Sequence, residues 1–124
     1  MSVKTQVADN YAVSAQEIQA AAGALEGQVV KTPFISAPKL SALTGADIFI
    51  KYENLQFTNS FKARGAFLKL SSLSEDQRKR GVIAISAGNH AQAVAYHAQR
   101  LGIPAIIVMP VETPFVKIGN TEAL

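Results

Sequence analysis

Two short stretches of this sequence combine residue types that could do chemistry. The first is Ser60-Phe61-Lys62-Ala63-Arg64-Gly65-Ala66. With Ser60 as an N-cap, its hydroxyl would accept a backbone N–H and Lys62 would fall in the first turn of a helix. A cation there faces the positive end of the helix dipole, which disfavours the ammonium. A lysine that condenses with a carbonyl needs the neutral amine, so the placement suits nucleophilic work. On spacing alone, the simpler reading is an exposed lysine in an electrostatically poor position.

The second stretch is Ser86-Ala87-Gly88-Asn89-His90-Ala91-Gln92. It falls where an apolar strand gives way to a helix, the place at which open α/β sheets bind ligands. Its small residues let the backbone approach a ligand, and free N–H groups at a helix N-terminus can hold an anion. Asn89 adds a side-chain amide that can donate to an oxygen, although a plain helix cap explains it as well. His90 and His97 have no neighbours that complete a base or metal set. A packed helix face is the expectation for both.

The elements that must position these residues follow from local patterns. Ser14-Ala15-Gln16-Glu17 has the form of a capping box, followed by an Ala-rich helix that stops near Gly27. Thr32-Pro33-Phe34 reads as extended, and 36–43 as a short helix with an early proline and a stop at Gly45. Asp47 to Glu53 has strand composition. A polar loop over 54–59 leads to a helix from about Ser60 to Leu70, and a second short helix runs from Ser74 to Arg80 before Gly81. Val82 to Ser86 is a brief apolar strand, 89–101 a helix ending at Gly102, and Pro104 to Met109 another apolar strand. Thr113-Pro114 opens a last helix. Strand, glycine turn, helix, glycine, strand is the grammar of a parallel sheet.

Composition narrows the function classes. The chain has 124 residues, 48% of them hydrophobic and 17% charged, as expected of a folded protein with much surface to cover. Either the sheet is buried on both faces or a covering surface lies outside these residues. The net charge of +3 comes from scattered basic residues, and the densest run, Arg78-Lys79-Arg80, suits a solvated helix C-terminus. No aromatic-plus-basic interleaving of the kind that stacks bases is present, so nucleic acid is not the expected partner. With no cysteine, disulfides and thiolate metal sites are excluded. No apolar run reaches the length of a membrane span, and the polar start lacks a signal-peptide core. A cytoplasmic protein without a membrane partner is the expectation.

Lys51-Tyr52-Glu53-Asn54-Leu55-Gln56 followed by Ser60 to Ala66 resembles the cofactor-lysine signature of the threonine dehydratase (threonine ammonia-lyase) family, the fold type II pyridoxal 5′-phosphate (PLP) enzymes. The stretch from Ser86 to Gln92 resembles the substrate and cofactor loop of the same family. Thr32-Pro33 and the segment with Met109-Pro110, Thr113-Pro114 and Lys117 also match in order and spacing, so the resemblance runs from about Ser14 onward.

The resemblance implies an α/β fold, a three-layer open, mainly parallel sheet with helices on both faces (tryptophan synthase beta-like), here incomplete. It implies that residues 1–50 belong to the large PLP domain and 51–124 to the small α/β domain carrying the cofactor lysine. Lys62 would hold PLP as a Schiff base and, once freed, remove the Cα proton. Phe61 would pack against the cofactor ring, and Asn89 would hydrogen-bond its phenolic oxygen. Ser86, Ala87, Gly88, Asn89 and His90 would receive the substrate carboxylate, mostly through backbone N–H groups. The implied reaction is deamination of L-threonine, with L-serine second, to a 2-oxo acid and ammonia, by a homo-oligomer at full length.

Departures from the family pattern matter. Asn59 stands where many members have glycine. Ala87 stands where the related serine racemases place a serine serving the opposite cofactor face, so dehydration is implied rather than racemisation. The eight glycines are scattered, and no run matches the loop that grips the PLP phosphate. The expectation is therefore an N-terminal portion holding one wall of the site, weak in PLP binding and catalysis by itself. A hydroxyaspartate ammonia-lyase and a non-catalytic fragment that complements a second chain are the competing readings. A dinucleotide-binding domain is disfavoured because no glycine fingerprint follows a strand.

Overall fold

A computed structural model describes residues 13–124. The first helix, α1 (Ala15–Leu25), begins with the expected capping box. The Ser14 hydroxyl accepts from the Glu17 N–H, and the Glu17 carboxylate accepts from the Ser14 N–H. Strand β1 (Phe34–Ser36), helix α2 (Pro38–Thr44) and strand β2 (Phe49–Lys51) follow, then a 3-10 turn over Glu53–Leu55. The two strands pair antiparallel, Phe34 with Lys51 and Ser36 with Phe49, so the pairing straddles residues 50 and 51.

The second half is built on α3 (Lys62–Ser71), α4 (Glu75–Arg80), β3 (Val82–Ile85), α5 (Asn89–Leu101), β4 (Ala105–Val108) and α6 (Phe115–Glu122). Ser74 supplies another capping box, with Gln77 as its partner, and Arg78, Lys79 and Arg80 occupy the last turn of α4 as anticipated. Strands β3 and β4 pair in parallel from Val82 opposite Ala105 to Ile85 opposite Val108, with α5 as the crossover. The α/β reading holds.

One glycine is required by its backbone setting. Gly81 has φ +81° and ψ −172°, a region open almost only to glycine. A Cβ there would lie 2.5 Å from the Pro104 carbonyl oxygen. That same oxygen accepts from the Val82 N–H at 2.8 Å, which starts the parallel ladder.

The core lies between β3, α3 and α5. Small residues let the two helices approach closely: Ala63, Ala91 and Ala93 are completely buried. One cluster joins Ala66, Ala84, Ala93 and Val94, and a second joins Leu70, Ala98 and Ile103. Earlier residues of α3 thus meet earlier residues of α5, and later meet later, so the helices run in the same direction. Burying a leucine such as Leu70 contributes about 2 kcal/mol.

Period-2 alternation turns Val82 and Ala84 toward these helices and Ile83 and Ile85 away. Ile83 and Ile85 are 70% and 79% exposed, and Ile106 on β4 is also open. Among the described residues, helices cover one face of the parallel pair and leave the other apolar face bare.

Candidate active site

Because α3 and α5 run together, their N-termini lie at the same end of the core. That end is also the C-terminal end of β3, from which the Ser86–Gly88 turn departs. Lys62 opens α3, and Asn89 opens α5.

Ser60 is not the N-cap of α3. Phe61 takes that position in a helical conformation and makes no side-chain cap bond. The Ser60 hydroxyl still accepts from a backbone N–H, that of Lys62 at 3.3 Å, so it braces the first turn from one residue further out. The preceding residue, Asn59, has φ +55°. This left-handed setting favours glycine, and asparagine is among the few other residues that tolerate it.

Lys62 is exposed at the wall of a cavity of about 430 Å³ lined by Phe61, Gly65, Ala66, His90 and Val94 among others. Its ammonium lies 4.9 Å from the centre of the Phe61 ring, and it takes part in no ion pair among the described residues. An amine so placed is free to condense with a carbonyl group.

The structure brings Lys62, Phe61 and His90 to one cavity, whereas Ser86, Ala87, Gly88 and Asn89 do not line it. Ser86, Ala87 and Gly88 form the turn before α5, and Asn89 opens the helix. The Ser86 N–H donates to the Val108 carbonyl at 3.0 Å and its hydroxyl accepts from Gly88 N–H at 3.2 Å. Gly88, not Asn89, is the N-cap of α5, and no side chain caps this helix. Asn89 is therefore no helix cap: it is the first helical residue, with its side chain exposed. An uncapped N-terminus leaves N–H groups aimed outward, the arrangement that binds an anion.

The histidines part company. His97 is completely buried, edge-on to Phe67 with ring centres 5.4 Å apart, as a packed histidine should be. Loss of solvent pushes its imidazole down to about 4, with the Arg100 charge adding to the effect and the Ala63 backbone opposing it. His90, expected on a packed face, is instead exposed, at the wall of the cavity that Lys62 lines.

Sequence reasoning passed over a polar cluster behind the lysine. Arg64 grips both carboxylate oxygens of Glu53, each at 2.8 Å. The Thr32 hydroxyl donates to Glu53 at 2.6 Å, and the Gln56 amide lies 3.3 and 3.4 Å from its two oxygens. Gln56 also pairs with both backbone groups of Val30, at 3.0 and 2.8 Å. Hydrogen bonding from Arg64 holds the Glu53 carboxyl down at about 2 despite the loss of solvent, with Thr32, Gln56 and the Arg64 charge assisting. Glu53 and Arg64 lie 11 residues apart on different elements, so no helical or strand periodicity signals the pair.

The chain is 50% identical over 112 residues to L-threonine ammonia-lyase of Thermotoga maritima, covering 90% of this chain and 28% of that protein. It is 51% identical over 109 residues to L-threo-3-hydroxyaspartate ammonia-lyase of a Pseudomonas species, covering 88% of this chain and 34% of that one. The chain thus spans about a third of these relatives or less. Its structure superposes on maize serine racemase with a TM-score of 0.82 at 37% identity, over 91% of this chain and 34% of that protein. The family profile described as pyridoxal-phosphate dependent enzyme matches residues 25–124, and the chain belongs to that family.

Proposed function

We propose that this chain is the lysine-bearing segment of a PLP-dependent ammonia-lyase that converts L-threonine, and secondarily L-serine, to a 2-oxo acid and ammonia. The observation that carries the reading is Lys62, an amine in no ion pair among the described residues, at the wall of a cavity beside an uncapped helix N-terminus. These residues suit PLP: the amine can condense with the cofactor aldehyde and the Phe61 ring can pack beside it. When bound, the cofactor supplies an electron sink for charge developing at the substrate Cα.

The chain's own residues do the rest. Lys62 is the attachment point and, as the neutral amine, takes the Cα proton. Phe61 limits where its side chain can swing, since the ring lies 4.9 Å from the ammonium. Backbone N–H groups across Ser86, Ala87, Gly88, Asn89 and His90 receive the substrate carboxylate at the start of α5. The Asn89 amide, exposed at the start of α5, would help hold the cofactor by hydrogen bonding.

Within the intact protein, the same reading places residues 51–124 in the smaller domain and the preceding segment in the larger, in a cytoplasmic homo-oligomer. It also supplies cover for the bare face of Ile83, Ile85 and Ile106. L-threo-3-hydroxyaspartate is the second substrate reading, because the relative named for it is as similar, at 51%, as the threonine enzyme at 50%.

The test is to add PLP to the protein at full natural length, reduce with borohydride, digest, and locate the phosphopyridoxyl group by mass spectrometry. Labelling concentrated on Lys62, with 2-oxo acid released from threonine in the unreduced sample, supports the reading. Uniform weak labelling of exposed lysines overturns it. Release from hydroxyaspartate but not threonine selects the second substrate.

A further inference from the structure

The placement of Lys62 depends on how α3 is rotated about its own axis, and one feature of the described residues bears on that rotation. Residues two apart on a helix leave it ~200° apart, so Lys62 and Arg64 project on nearly opposite sides. Between them, Ala63 is completely buried, while Ala66, Phe67 and Leu70 complete the buried face. That face consists of apolar side chains, with Phe67 edge-on to His97 at 5.4 Å between ring centres. Arg64, by contrast, is held by two directional bonds from its planar guanidinium to Glu53, each 2.8 Å long.

Glu53 is in turn immobilised. Thr32 donates to it at 2.6 Å, and Gln56, only 3% exposed, is locked to Val30 through both ends of its amide. Lys51 donates to the Thr32 carbonyl at 2.6 Å, which ties the end of β2 to the same strut. The loop from Gln56 to Phe61 is thus anchored at its start by Gln56 and beyond its end by Arg64. Phe61 and Lys62 lie inside that closed span.

We propose that Glu53 and Arg64 are positioning residues: their bidentate pair sets the rotation of α3 and the path of the loop before it, and so directs the Lys62 amine into the cavity. The inference rests on the proposed role of Lys62. It assigns the pair no contact with cofactor or substrate.

The test uses the protein at full natural length, reconstituted with PLP, in wild-type, Glu53→Gln and Arg64→Lys forms. Glu53→Gln keeps the shape and removes the charge; Arg64→Lys keeps the charge and loses the fork, a milder change that preserves the test if the first variant fails to fold. Three readouts are taken together: the share of borohydride-trapped label on Lys62, kcat and KM separately, and the melting temperature. The expected result is a fall of threefold or more in the Lys62 share and tenfold or more in kcat for Glu53→Gln. KM should move less than threefold, and Arg64→Lys should be intermediate.

Label and kcat within twofold of wild type in a folded variant would overturn the inference, even with a lowered melting temperature, because the pair would then be merely structural. An unlabelled Lys62 in the wild type would instead overturn the proposed role of Lys62, and this inference with it.

Discussion

Replacing Gly81 by alanine should be among the most damaging single-atom additions in this fold. The residue holds φ +81° and ψ −172°, and forcing a side chain into such a region costs about 1–3 kcal/mol. The added Cβ would meet the Pro104 carbonyl oxygen at 2.5 Å and the Pro104 Cβ at 3.0 Å, so the backbone has to move. Moving it stretches the 2.8 Å bond from the Val82 N–H to that oxygen, worth about a further 1 kcal/mol. The sum is about 2–4 kcal/mol, a large share of the ~5–15 kcal/mol that stabilises a typical domain. Urea unfolding followed by far-ultraviolet circular dichroism should show the midpoint lowered by about 1–2 M, given slopes of about 1–3 kcal/mol per molar. Gly23→Ala is the control: nothing lies within 4 Å of a Cβ there, within the helix α1, and the change should be neutral or stabilise by up to about 1 kcal/mol. A Gly81→Ala midpoint indistinguishable from wild type would refute the reasoning, since the backbone would then leave its observed setting at no cost.

Asn59, at φ +55°, should accept glycine with little change, whereas Asn59→Val should cost about 2 kcal/mol and lower the Lys62 share of trapped label; equal stability of the two variants would contradict the strained loop. Acid should weaken the fold in separable stages. His97 is depressed to about 4, so the stability it contributes is complete above the ordinary imidazole range and is lost as pH falls from about 6.5 through 4. Glu53 is held at about 2, so its contribution is complete above the usual carboxylate range and is lost below it, as pH falls toward 2. Melting temperatures measured from pH 7 to 2 should therefore flatten in the upper window for His97→Phe and in the lower window for Glu53→Gln. An unchanged profile for either variant removes that residue from the account.

Much of the architecture could be read locally. The capping boxes at Ser14 and Ser74 close through bonds only three residues apart, so they depend on nothing distant. The apolar runs of β3 and β4, separated by a helix and a glycine, specify a parallel crossover through their own periodicity. The lysine and the small-residue turn are legible as a pair of motifs; the βαβ order puts the turn at the C-terminal end of β3, and the parallel packing of α3 on α5 puts the lysine at the same end.

What needed the tertiary structure depends on neighbours far along the chain. His90 and His97 are seven residues apart on one helix and look alike by periodicity, yet Phe67 of α3 reaches only the second. Phe61 displaces Ser60 as the helix cap, and Gly88 displaces Asn89, a choice of one residue that backbone geometry makes and residue preference does not. Glu53 finds Thr32 across 21 residues because the β1–β2 pairing brings their segments together, and it meets Arg64 across 11 residues from helix α3. Local sequence determines which elements form, since helix and turn bonds span a few residues. Only the packing of those elements decides which polar groups meet, because the partners of Glu53 lie on separate elements.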